Sequence, residues 1–241
     1  MNQTTKENKM NLKTLKTATV VSVVSALLAG CASTGTSNTT DGLIGGAAAG
    51  ALAGQLIGGN TKSTLIGAAI GTAAGGLIGY SLDQQANDIA RSLGTGVNND
   101  PLAYLDPNQD LIVSNNGRYV KIMFRDRMMF PTNSSRLTSS ASYKVGKVGK
   151  ILREYPQTIV QVAGFTDNRG GYDYNYRLSK KRARAVSDRL YREGINNPSY
   201  TTGCSYNKAL VPNTSERNMA LNRRVEIYLY PNNDVRVDPC R

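Results

Sequence analysis

The 241-residue sequence predicts an α/β two-layer sandwich preceded by a glycine-zipper helical hairpin. Two patterns carry that reading. Between Gly42 and Tyr80, where Lys62 is the only charge, glycines fall every fourth residue, a spacing that lines one helical ridge with bare backbone and lets two helices meet closely. Over residues 111–231, short alternating runs trade places with longer runs of helical spacing, as strands and helices do when one layer covers the other.

Composition narrows the chemistry. At 40% hydrophobic and 19% charged residues the chain is too polar to be membrane-embedded throughout. It has no His, and its cysteines are Cys31, Cys204 and Cys240, so imidazole acid–base catalysis, His-containing triads and Cys/His zinc sites are excluded by inventory. The chain therefore reads as a binding protein without metal or cofactor, not as an enzyme. Lys and Arg number 29 against 17 Asp and Glu, a net +12, which suits nucleic acid, anionic lipid or an anionic polymer. Lys6, Lys9, Lys13 and Lys16 against Glu7 place +3 of the +12 in the first thirty residues, leaving +9 for the rest.

Residues 1–30 read as a lipoprotein signal peptide: polar and basic to Thr17, uncharged and mostly apolar from Ala18 to Ala29, with Leu28-Ala29-Gly30-Cys31 at the end. About a dozen apolar residues at ~1.5 Å each cover roughly 18 Å, short of a ~30 Å hydrocarbon core, and the basic start and small-residue end have export form. Met10 to Cys31 is already a complete leader, so Met10 is an alternative start. Leu-Ala-Gly-Cys resembles a bacterial lipobox, which implies an acylated Cys31 seated in membrane lipid; each buried acyl CH₂ contributes ~0.8 kcal/mol. An ordinary secretory leader with an incidental cysteine is the alternative. Ala32, where Asp is absent, resembles the enterobacterial outer-membrane lipoproteins and implies a periplasm-facing outer-membrane location in a Gram-negative bacterium.

Residues 31–41 are a Ser/Thr/Gly/Asn-rich tether. Residues 42–93 follow as the hairpin and its polar extension: Gly42, Gly46, Gly50, Gly54 and Gly58 line one arm, Gly67, Gly71, Gly75 and Gly79 the other, and Leu43-Ile44-Gly45 repeats as Leu65-Ile66-Gly67. Eight interior glycines at ~0.8 to 1 kcal/mol cost roughly 7 kcal/mol relative to Ala, so the arms need each other or a second copy, and self-association through the zipper is expected. A low-complexity Gly/Ala linker is the other reading. Leu82 to Leu93 continues as a polar helix. Residues 94–110, with Pro101 and Pro107, read as a linker, ~50 Å long when extended.

In the domain at 111–231, Val120, Ile122 and Phe124 alternate in a strand over 119–124. Ser139 to Tyr155 is a helix with the stripe Ala141, Val145, Val148, Leu152 and Tyr155, ended by Pro156. Ile159–Phe165 is a buried strand, Tyr172 to Glu193 a helix stopped by Gly194, and Tyr200–Gly203 a short strand. Val225, Ile227 and Leu229 mark the last strand, and residues 232–241 form a tail. With Cys31 lipidated, two thiols remain in an oxidising compartment, which predicts a Cys204–Cys240 disulfide.

One charge sits where a charge is costly. Turning about 100° per residue from Leu178, Ala185, Val186 and Leu190 mark the apolar stripe of the second helix, and Arg182 falls inside it. A guanidinium there needs an anionic partner. Arg189 shares the stripe further along and is expected to snorkel outward. The nearest evident acid is Asp167, ending a strand beside Gly170-Gly171. Either the two form a structural ion pair, or Asp167 merely shapes a turn, or the pair faces a ligand bearing both charges.

Gly164-Phe165-Thr166-Asp167, Asn175, Leu178-Ser179, Arg182-Ala183 and Asn222-Arg223-Arg224-Val225-Glu226-Ile227 together resemble the OmpA-like peptidoglycan-binding domain found in outer-membrane protein A, Pal and the flagellar stator protein MotB. With lipobox and glycine zipper in front, the whole chain resembles the YiaD-type lipoproteins of that family. The resemblance implies a peptidoglycan partner, bound through the meso-diaminopimelate of the stem peptide. Asp167 would take its ammonium, Arg182 would fork onto its carboxylate, and backbone N–H groups at the helix start would assist. Asn133, Asn175 and Arg223 match binding or supporting positions; Asn175 equally fits a helix cap, and Arg223 a strand-end ion pair. Many relatives have Asp where Pro131 stands, and Gly and Pro where Ser205 and Ala209 stand.

Two other activities have footholds. Ser205-Tyr206-Asn207-Lys208 fits the S-x-x-K of penicillin-recognising enzymes, yet their S-D-N and K-T-G elements do not occur. Lys180-Lys181-Arg182 followed by Arg184 hints at nucleic acid, but an exported chain rarely meets any, and Lys180 and Arg184 lie on the solvated face; a basic face suits an anionic wall polymer. The reading is a membrane-anchored tether to the cell wall. The alternative is a structural subunit of an envelope-spanning secretion or motility machine.

Overall fold

In the computed structural model, which describes residues 75–241, β1 (Leu111–Asn115), β2 (Val120–Arg125), β3 (Ile159–Phe165), β4 (Ser199–Gly203) and β5 (Arg224–Tyr230) make one sheet in the order β1-β2-β5-β3-β4. Every pairing is antiparallel except β3 with β4. The helices are α1 (Gly75–Leu93), α2 (Asp126–Met129), α3 (Ser139–Leu152), α4 (Tyr172–Tyr191) and α5 (Glu216–Asn222). The leader, Cys31, the tether and most of the glycine-zipper hairpin lie outside the described residues.

One face of the sheet presents Ile122, Phe124, Val160, Val162, Val225 and Ile227 to the stripes of α3 and α4. Thr138 caps α3 by accepting from the Ala141 amide, and the expected stripe Ala141, Val145, Val148, Leu152 is fully buried. α4 lies lower on the sheet than side chains normally permit. Gly164 and Gly203 stand opposite each other in the β3–β4 register; a Cβ on Gly164 would come 2.2 Å from the Ser179 carbonyl oxygen, and one on Gly203 would come 2.6 Å from the Lys180 nitrogen. This paired gap seats the N-terminal half of α4, and with it the site residues.

Three expectations are corrected. Residues 82–93 are not a free polar extension, because Leu82, Ala86, Ile89, Ala90 and Leu93 are buried in the main core. The interface is polar at its margins: Gln85 donates to Thr158 at 2.9 Å, Tyr155 to Asp88 at 2.7 Å and Asn115 to Asp83 at 2.6 Å. Nor do residues 94–110 form an extended linker. Val97 bridges Val113 in parallel, and Pro101–Leu105 is a 3₁₀ turn capped by Asp100 with Ala103 buried, so the segment covers the outer edge of β1. Arg189 does not snorkel: it donates to Ser142 at 2.9 Å and pairs with Glu193 at 2.6 Å, over Gly146 and Gly149 of α3, whose missing side chains make the room.

The strand β1, the single turn α2 and the short helix α5 carry too few residues for a periodic signal in the sequence. On the second sheet face Ile159, Ala163, Phe165, Tyr228 and Tyr230 meet Val235 and Val237 of the tail. A Cys204–Cys240 disulfide, Cα–Cα 5.1 Å, holds that tail in place.

Candidate functional site

The sheet ends in a cavity of about 520 Å³ where α2, the 131–134 turn, the loop after β3, α4 and α5 converge. Asp167, Arg182, Asn133, Asn175 and Arg223, though up to 90 residues apart in the chain, all line it. Asp126, Arg127, Phe130, Arg169, Tyr174 and Glu216 complete the charged and aromatic lining.

Arg182 does not reach Asp167. Its Nη1 lies 3.0 Å from Asp126 Oδ1, its Nε donates to the Ser134 carbonyl at 2.9 Å, and its guanidinium lies 5.1 Å from the centre of the Phe130 ring. The apolar-stripe argument for an anionic partner therefore holds, but the partner is Asp126, on the turn of helix after β2. Arg182 is buried and Asp126 largely so, and this desolvation pulls Arg182 below its ordinary pKa despite Asp126, and pushes Asp126 above its own despite Arg182 and Arg223.

Asp167 is held from the other side. Its Oδ2 accepts from Arg169 Nη2 at 2.7 Å, Arg169 Nε at 3.1 Å and Arg223 Nη1 at 2.6 Å, while Oδ1 accepts the Arg169 amide at 3.0 Å. Burial alone would raise its pKa; these hydrogen bonds outweigh it and hold the carboxyl below the usual range. Glu216 ties the two arginines together, accepting from Arg169 and Arg223 at 3.0 and 2.9 Å. Arg223 thus caps α5 and reaches into the cavity, whereas its neighbour Arg224 points the opposite way, buried against Glu226 and over Phe165.

Asn175 is not the helix cap, a position that Gly171 fills. Buried, it donates to the Arg169 and Gly170 carbonyls at 2.8 and 3.4 Å and so fixes the loop that carries Asp167. Asn133 adopts φ +55°, a left-handed conformation that Asn tolerates, in a turn closed by the Ser134 amide on the Pro131 carbonyl. Ser205 also has positive φ, +52°. Its amide and hydroxyl, bonded to Ser179 and Tyr172, hold it where a glycine would sit without strain. It is fully buried, which removes the S-x-x-K reading of an exposed nucleophile.

Sequence reasoning missed Asp126, Arg169 and Glu216. An acid directly after an alternating strand was the available signal for Asp126; the other two lie in loop and helix-start positions without periodicity. Four guanidinium groups and three carboxylates face one space: Arg182 beside Asp126, Arg169 and Arg223 sharing Asp167 and Glu216, and Arg127 paired with Asp110. Such a lining offers preformed counter-charges of both signs to a group of mixed charge.

The family model described as the OmpA family matches residues 129–223, and one described as a YMGG-like Gly-zipper matches residues 10–83. The "Probable lipoprotein YiaD" of Escherichia coli (strain K12) is 34% identical over 195 residues, covering 77% of this chain and 83% of that protein. The "Peptidoglycan-associated lipoprotein" of Brucella melitensis biotype 1 is 34% identical over 70 residues, 29% of this chain and 42% of that one. A putative MotB like protein from Desulfovibrio vulgaris superposes with a TM-score of 0.50 at 18% identity, over 65% of this chain and 97% of the other, a likeness of fold alone.

Proposed function

The chain belongs to the OmpA family, and from that premise we propose that it is a lipid-anchored outer-membrane protein that binds peptidoglycan non-covalently and so tethers membrane to wall. The observation that carries the reading is the convergence of Asp167 and Arg182 on one cavity with separate counter-charges. The ligand is the meso-diaminopimelate of the stem peptide, whose free end bears an ammonium and a carboxylate on one carbon. Asp167 Oδ2 is crowded by three guanidinium N–H groups, but Oδ1 accepts only one amide and has a lone pair left for the ammonium. Arg182 donates from Nε to Ser134 and rests Nη1 3.0 Å from Asp126 Oδ1 in an ion pair without hydrogen-bond alignment, which leaves Nη2 for the carboxylate. Asn133 and Tyr174 close the sides.

Cys31 is the acylated first residue of the mature chain, and the zipper that follows self-associates. Because α1 is packed into the domain core, the wall-binding domain is a direct continuation of its C-terminal helix. A pull-down of the mature chain on purified sacculi tests the reading. Retention that free meso-diaminopimelate competes away is the expected result; retention by Asp167→Ala equal to wild type would overturn it. Sacculi with Lys in place of diaminopimelate lack the distal carboxylate and should retain little protein.

A further inference from the structure

Beside the main cavity lies a smaller one of about 180 Å³, lined by Arg125, Arg127, Arg217 and Arg223 with Leu221 and no acid. Arg127 and Arg223 line both cavities, so the two spaces are separated by little more than those side chains. The four arginines are not equally satisfied. Arg223 is paired with Asp167 and Glu216, and Arg127 with Asp110. Arg217 is exposed and makes no ion pair among the described residues.

Arg125 is the telling member. It is only 3% exposed, donates to the carbonyls of Leu221 and Tyr104, makes no ion pair among the described residues although Asp110 and Glu226 act on its charge from further off, and leaves its solvent-sealed Nε without an acceptor. Burial, with the neighbouring Arg224 charge, pulls its pKa down to about 10. A buried cation whose direct partners are neutral carbonyls, with acids only at longer range, gains from a closer counter-charge, and 180 Å³ is space for roughly six waters at ~30 Å³ each, ample for a carboxylate.

We infer that this arginine pocket is a second oxyanion site, which takes another carboxylate of the ligand whose zwitterionic end enters the main cavity. The inference rests on the wall-peptide reading of that cavity. In the stem peptide the residue joined to diaminopimelate is a glutamate linked through its side chain, so its α-carboxylate is free and one residue away. The shared wall of Arg127 and Arg223 lets a single peptide reach both spaces. A lipid phosphate would offer the same chemistry from another source.

The test compares the tripeptide L-Ala-γ-D-Glu-meso-diaminopimelate with the same peptide amidated at the glutamate α-carboxyl, by titration calorimetry on the full mature chain in detergent. Wild type should bind the acid about tenfold more tightly than the amide, which is about 1.4 kcal/mol, and Arg217→Ala should reduce that ratio to about one with the affinity for free diaminopimelate unchanged. Arg217 is exposed, so the variant folds. Equal affinities for acid and amide in wild type, or a ratio that survives Arg217→Ala, overturn the pocket while leaving the main site standing. Binding to neither tripeptide nor free diaminopimelate overturns the main reading and this one with it. Arg217-dependent flotation on phosphatidylglycerol vesicles without an acid preference would assign the pocket to lipid phosphate and overturn the carboxylate.

Discussion

Arg182 Nη1 stands 3.0 Å from Asp126 Oδ1, with 5% of the arginine side chain and 14% of the aspartate exposed. The central cation of the cavity is thus also half of a buried ion pair, and loss of binding on its substitution has two possible sources. Asp167 differs, since its partners Arg169 and Arg223 keep Glu216 when it is removed.

Arg182→Ala should therefore lower stability by about 3 to 5 kcal/mol, by leaving Asp126 buried and unpaired, while Asp167→Ala should cost no more than about 2 kcal/mol. Both should lose sacculus binding. Urea unfolding beside the pull-down separates the cases; equal stability losses would show that the asymmetry of the two carboxylates is wrong.

The two acids respond to pH with opposite signs. Asp167 is lowered in the folded state, so its stabilisation is present above the ordinary carboxylate pKa and is lost as pH falls through its depressed value. The stability gap between wild type and Asp167→Asn should narrow below about pH 4. Asp126 is raised, so it penalises the fold above its folded pKa, and that penalty is relieved as pH falls through the window between its raised and ordinary values. Denaturation midpoints from pH 3 to 7, a range around the ordinary values, should show both slopes.

Gly164→Ala should destabilise by at least about 1 to 3 kcal/mol, because its Cβ would come 2.2 Å from a backbone carbonyl that cannot swing aside. The lost contact lies under Ser179 in the N-terminal half of α4, three residues before Arg182, so wall binding should weaken with it. A thermal melt matching wild type would mean that α4 sits higher on the sheet than described.

A chain beginning at residue 95 lacks Leu82, Ile89 and Leu93 and bares the core they cover, whereas one beginning at residue 75 keeps them. The longer piece should unfold cooperatively and the shorter should melt far lower or aggregate. Ile89→Ala in the full chain should cost about 2 to 5 kcal/mol. Identical denaturation of the two pieces would return α1 to the role of a free extension.

Non-reduced peptide mapping of natively exported protein should join Cys204 to Cys240. The bond closes 36 residues and should stabilise by roughly 3 to 4 kcal/mol in the chain-entropy model, so Cys240→Ser should lower the melting temperature while sacculus binding persists. Two free thiols would refute the link.

Much of this was legible from sequence because it is local. Alternation marks β2 and β5, a continuous apolar run marks β3, and helical spacing marks α3 and α4, since each depends on residues a few positions apart; the helix expected to run to Tyr155 before Pro156 ends at Leu152. The same spacing put Arg182 on an apolar face and so demanded an acid. Which acid was settled only in three dimensions: Asp126 lies 56 positions away on an isolated turn, and the register of β2 beside β5 carries it to the cavity. Periodicity tells which face of a segment is buried, not what buries it. For that reason the stripe in 82–93 passed for a free polar helix, residues 94–110 passed for a linker, and the unneutralised Arg125 became visible only when Leu221 and Tyr104 closed over it.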